Sequence, residues 1–105
     1  MFAISEGMAR INGQTINTFE REIAEKDTVM QVAAGTSTYK GEGTRTYVGF
    51  DCISGDFHFS PIKDKKGQTV GIEIASCGNA ALKTMQKALA FAMKVLDEES
   101  REVRN

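Results

Sequence analysis

The residues able to do chemistry in this chain are few: one histidine, His58, two cysteines, Cys52 and Cys77, and scattered carboxylates. Two turn signals, Ser54-Gly55 and Asp64-Lys65-Lys66-Gly67, bracket His58, and the residues around them alternate. A two-residue turn at the first signal places Ile53 opposite Asp56. A four-residue loop closed by Gly67 at the second continues the pairing. His58 then lies in a row between Asp51 and Glu73, within about 5 Å of each. Such a row could ligate a divalent metal or hold a proton for transfer. The competing reading is a solvated cross-strand ion ladder, contributing about 0.2–1 kcal/mol per pair. The ladder is favoured, because a metal site would show more ligand residues at tight local spacing.

Cys77 precedes a helix start, where a thiolate is stabilised. Catalysis would also require a base within hydrogen-bond reach. His58 lies two rows away, and Cys52 points to the opposite face from His58. With no Ser–His–Asp arrangement either, the chain is expected not to be an enzyme. A metal-assisted hydrolase centred on His58 ranks third among its functions, and no cofactor is expected.

Three other places could bind rather than react. Beside the His58 row lies Gly49/Ser60/Gly71, a patch nearly free of side chains, bordered by Tyr47 and Ile62. Glycine inside a strand costs stability and often marks close approach of another group. Residues 35–45, GTSTYKGEGTR, are rich in glycine, threonine and serine, a composition suited to an exposed connection that contacts a partner through Tyr39, Lys40 and Arg45. They are no P-loop, since Gly41-Glu42 follows Lys40. Gly78 and Asn79, opening the last helix, offer backbone N–H groups to an anion, a weak signal shared by most helices.

The elements that must position these residues are legible in outline. The register above puts Cys52, Phe50 and Val48 in apolar rows with Phe57, Phe59 and Pro61, and these with Ile74, Ile72 and Val70. Asn12-Gly13 suits a type I′ hairpin turn between the flanking segments 8–11 and 14–17. Residues 18–26 fit either a short helix capped by Thr18 or a continuing strand. Residues 28–34 read as a strand. Asn79 caps a helix from Ala80 to about Glu99, whose apolar positions Leu82, Met85, Leu89, Ala92, Met93 and Leu96 recur at helical spacing, widened by Ala81, Ala88 and Val95. The acidic residues at 97–99 oppose the helix dipole, so 97–105 should fray. The expected fold is α+β: an antiparallel sheet made of a 46–75 meander, an N-terminal hairpin and the 28–34 strand, with one long C-terminal helix packed on one face.

At 105 residues the chain is expected to form a single domain. Thirteen basic and fourteen acidic residues leave a net charge of −1, which argues against a dedicated duplex-DNA binder. No apolar run approaches the ~18 residues of a membrane span, so no membrane association is expected. Two cysteines make no disulfide framework, and a reducing cytoplasm is the expected location. A meander followed by a long helix is similar in outline to small single-strand-binding cofactor folds, a likeness of architecture without a residue motif.

The expected function is non-catalytic binding of a protein partner or small anionic ligand, of the inhibitor, adaptor or ligand-sequestering type. It would act through the 35–45 loop and the Gly49/Ser60/Gly71 face, with a homodimer as one form. The alternative is a single-strand nucleic-acid binder using Lys40, Arg45, Lys63, Lys65 and Lys66.

Overall fold

A computed structural model describes residues 4–39 and 43–103 of the chain. The elements run β1 (Ser5–Ile11), β2 (Gln14–Glu25), β3 (Thr28–Tyr39), β4 (Gly43–Ser54), β5 (Phe57–Lys63), β6 (Thr69–Ser76) and α1 (Asn79–Val103). Strands β1-β2-β3-β4 form one antiparallel sheet in that order, and β5 and β6 form a separate two-stranded hairpin. The long helix packs on one face of the four-stranded sheet, giving an α+β fold.

Local chemistry explains the first turns. Asn12 and Gly13 both take positive φ, 51° and 74°, as a type I′ turn requires, and Ile11 pairs with Gln14 across it. Residues 18–25 are strand, and Lys26 opens the turn that follows. Phe19, Arg21 and Ile23 pair with Ala34, Val32 and Met30, and this ladder to β3 overrides the helix preference of the Glu and Arg residues of β2. The turn into β3 is two residues long, with Lys26 at φ 54°.

Residues 35–45 are mostly ladder rather than loop. Gly35 pairs with Tyr47, Ser37 with Arg45 and Tyr39 with Gly43. Threonine is β-branched and suits a pleated surface, and four threonines between 36 and 46 carry the hairpin outward. The expected exposed connection across 35–45 is therefore not found at 35–39 and 43–45, and Lys40 lies outside the described residues.

The meander is corrected more deeply, because β4 and β5 do not pair. The β3–β4 register shifts between Val29, opposite Ser54, and Met30, opposite Cys52, which leaves Ile53 as the extra residue of a bulge. The Ser54 hydroxyl donates to the Asp27 carbonyl at 2.8 Å, fastening this strand end to the β2–β3 turn. Ser54 does not take the positive φ that a type I′ turn would need, and Gly55 turns at φ 125°. The chain leaves the sheet, and β5–β6 projects as an arm. Within the arm Phe57 pairs with Ser76, Phe59 with Ile74 and Pro61 with Ile72, two residues from the expected register. Asp64 causes the offset: its carboxylate accepts from the Lys66 and Gln68 N–H groups at 2.8 and 3.0 Å, closing a longer turn with a bulge before Lys63. The even offset keeps the side chains of 57–62 and 71–76 on their faces, while the bulge leaves Val70 as the extra residue and moves Thr69 opposite Lys63.

The core joins Ile23, Met30, Val32 and Ala34 of the sheet to Ala81, Ala88, Phe91, Ala92 and Val95 of the helix, with Phe57 at the arm's root. The helix faces the sheet with alanines at 81, 88 and 92 and the larger Phe91 and Val95. Leu82, Leu89 and Met93, expected in the core, are 53%, 54% and 70% exposed, and Phe59 is 38% exposed rather than covered by Leu89. The helix also continues through the stretch expected to fray, helped by the Thr36 N–H, which donates to Glu99 at 3.1 Å.

Near its start β2 leaves β3 and continues with β1, crossing close above Gly35. A Cβ on Gly35 would lie 1.9 Å from the Asn17 carbonyl oxygen, while one on Gly49 would meet the Tyr47 hydroxyl at 2.6 Å. Backbone cannot yield as a side-chain tip can. Gly35→Ala should therefore destabilise by about 1–3 kcal/mol or more, and Gly49→Ala by clearly less. Urea unfolding of the two variants checks this, and equal losses would contradict the close crossing.

Candidate functional site

The histidine row does not assemble. His58 pairs with Ala75, Glu73 with Ser60, and Asp51 with Gln31 in the other sheet. The His58 Nε2 lies instead 2.9 Å from Asp56 Oδ1, and both side chains are well exposed. Among the described residues, no three His, Cys, Asp or Glu side chains are grouped to hold a metal ion. The glycine patch is dispersed too, because Gly49 is on β4 opposite Ala33 while Ser60 and Gly71 lie on the arm, Gly71 opposite Ile62. Gly78 and Asn79 are exposed at the helix start. Tyr39 ends β3 and Arg45 lies near the start of β4, close to the far end of the same hairpin.

Part of the expected site survives on the helix-free face. Tyr47, Gly49 and Asp51 line a concave groove of about 290 Å³ with Thr18, Glu20 and Gln31. Sequence reasoning missed the last three. Glu20 accepts from the Gln31 amide at 3.1 Å and from the Thr18 hydroxyl at 3.3 Å. Gly7 leaves room for this carboxylate, since a Cβ there would lie 1.9 Å from Glu20 Oε2. With strand identity for 18–25, alternation places Thr18 and Glu20 on one face, so the signal was present once that choice was made. Carboxylates at Glu20 and Asp51, an amide and a phenol offer hydrogen bonds to a small polar ligand, without a nucleophile–base pair for chemistry on it.

A second groove, about 490 Å³, runs between β2 and the helix. Its apolar floor includes Ile23 and Phe91, and Arg21, Lys87 and Lys94 lie around it. Lys87 is already engaged, donating to Glu25 at 2.6 Å. That bond, with the charge of Lys87 behind it, holds the Glu25 carboxyl below the usual carboxylate range; partial desolvation opposes the shift, and Lys83 and Lys26 add to it.

The arm carries an unpartnered apolar surface. Val70 and Ile72 are 64% and 67% exposed, Ile72 shares a face with Phe59 and Pro61, and Ile62 on the other face is 42% exposed. Lys63, Lys65 and Lys66 gather at its tip. Among the described residues, no other strand covers either edge of the hairpin or the outer edge of β4.

No protein-family model matches the chain, and no curated protein or solved structure matches it.

The Glu25–Lys87 pair gives a pH dependence of definite sign. A depressed folded pKa contributes stability above the unfolded carboxylate pKa, and that contribution is lost as pH falls through the folded value. The stability difference between the wild type and Lys87→Met should shrink as pH is lowered through the carboxylate range. Urea unfolding across that range checks it, and a difference that grows on acidification would contradict the pairing.

Proposed function

We propose that this protein is a small non-catalytic binding protein, of the inhibitor or adaptor type, whose partner is a protein engaged by the projecting β5–β6 arm. One observation carries the proposal: an arm whose apolar face is bare and whose strand edges are open. Proteins rarely leave such edges uncovered, because unpaired backbone groups beside apolar side chains template pairing with another chain. The shape agrees. The radius of gyration is 15.1 Å, against about 13 Å for a compact chain of this length. The groove at Tyr47, Gly49 and Asp51 supplies a second, polar binding surface beside the arm-bearing strand. No helix among the described residues is long and apolar enough to cross a membrane. With Cys52 and Cys77 free, the proposal locates the protein in a reducing cytoplasm.

The three lysines at the arm's tip favour one alternative, single-stranded nucleic acid held by phosphate contacts. A photoreactive amino acid at Val70, in protein expressed in its source cells, separates the two. Covalent adducts to protein at Val70, and none from the same probe at exposed Gln14, are the expected result. Equal yields at both positions, or none at either, overturn the arm as the binding element. Nucleic-acid adducts that vanish with rising salt replace it by the alternative.

A further inference from the structure

We infer that the groove between β2 and the helix binds a single-headed amphipathic anion, a carboxylate carrying an unbranched alkyl chain. The site is separate from the arm, so its failure would leave the role proposed for the arm untouched.

The groove exists because the sheet is one strand narrower there. β1 begins at Ser5, opposite Glu20, so among the described residues no strand lies on the outer edge of β2 from Arg21 to Glu25. A space of about 490 Å³ opens beside the helix at that edge, within the size range of small-molecule sites. Its floor is Ile23 and Phe91, each 6% exposed, and Ile4 stands beside them 52% exposed. Ala90, exposed on the helix, adds little bulk to the wall. Arg21 shares the helix side of β2 with Ile23, whereas Glu22 and Ala24 alternate with them and send their side chains to the other face.

Charge is distributed unevenly along this groove. Two contacts fix how the helix lies over β2. Lys87 meets Glu25, and Glu99 accepts from the N–H of Thr36, which lies beyond Ala34, the partner of Phe19. The helix therefore runs along β2 from 25 towards 19, which brings Lys94 level with Arg21. Lys87 and Lys94 sit two turns apart on one flank, about 10 Å along the axis. At the first end the charge of Lys87 is answered by Glu25 at 2.6 Å. At the second, Arg21 and Lys94 have no ion pair or hydrogen bond among the described residues.

That polarity selects the ligand. A carboxylate between Arg21 and Lys94 gains charge-assisted hydrogen bonds, and the guanidinium can hold it through two parallel ones. An alkyl chain then lies over Ile23 and Phe91 and stops at the Glu25–Lys87 pair. An alcohol of the same length would leave both cations unanswered. A second carboxylate at the far end would have to compete with Glu25 for Lys87.

The test is calorimetry of decanoate with the purified full chain. Saturable binding of one decanoate per chain is expected, with decanol and decanedioate each at least about tenfold weaker. Joint replacement Arg21→Gln and Lys94→Gln should also weaken decanoate by about tenfold or more. Ala90→Trp should abolish binding with the circular dichroism spectrum retained, since Ala90 is exposed. Titration should move backbone amide signals at 21–24 and 87–94. Four results overturn the site: no saturable binding, equal affinity for decanol, full affinity in a folded Ala90→Trp variant, or signal changes confined to the exposed Val70 and Ile72 of the arm.

Discussion

Everything outside the four-stranded sheet depends on the direction in which the chain leaves β4. Three contacts set that direction. The bulge at Ile53 twists the strand end, Ser54 is bonded to the β2–β3 turn, and Gly55 turns against Thr28. A Cβ on Gly55 would stand 2.9 Å from the Thr28 Cγ2, and its φ of 125° is one that other residues rarely adopt. With the exit fixed, the arm's root follows. Phe57 enters the core, and the Cys77 N–H donates to the Asp56 carbonyl at 3.3 Å, which ties the start of the helix to the hinge. The helix then returns from that root over β3 and β2.

Its return path explains which stripe it buries. Alanines at 81, 88 and 92 permit close approach to Met30, Val32 and Ala34, and Thr84 is tolerated at zero exposure because its hydroxyl donates to the Ala80 carbonyl at 2.8 Å. The larger Leu82, Leu89 and Met93 would contribute more buried area at about 25 cal/mol per Å², yet they remain outside. The cause is their angular position: at about 100° per residue they lie well round the helix from the buried stripe of Ala81, Ala88, Phe91, Ala92 and Val95, and they face away from the sheet.

What the sequence made legible was local. Asn12-Gly13 specified its turn, the helix begins at Asn79, one residue before the expected Ala80 and with Gly78 accepting its first bond, and period-two alternation assigned the faces of β5 and of β6 from Gly71 to Ser76. The β4–β5 pairing was not legible, because alternation says which side chains share a face but not which chain supplies the neighbouring strand. Residues 35–45 misled through composition: glycine and serine suggested a loop, while the threonines among them suit a strand. Glu20 went unnoticed as a site residue because β2 was left undecided between helix and strand, and Gln31, on a strand read as such, because its partner Glu20 had not been placed. Leu82 and Leu89 were assigned to the core because hydrophobicity ranks them above alanine, whereas close packing selected the small residues.

The same alternation lets one chain satisfy two pairings. A slip of one residue would turn the arm's apolar row to the polar side, but the observed slip of two leaves it intact, and so does transfer of the row to another copy. Composition therefore constrains the face strongly and the partner weakly, and closure must come from geometry. Addition of the arm to some other edge, such as β1 of a neighbour, would leave that neighbour's arm free to repeat the contact, and the array would grow. Docking onto a partner of different sequence would end the array at one contact. Pro61 and the lysines at 63, 65 and 66 act in the same sense. A proline removes one donor from the ladder, and charges at a strand end discourage further pairing. An arm so marked is suited to one docking and poorly suited to polymer growth.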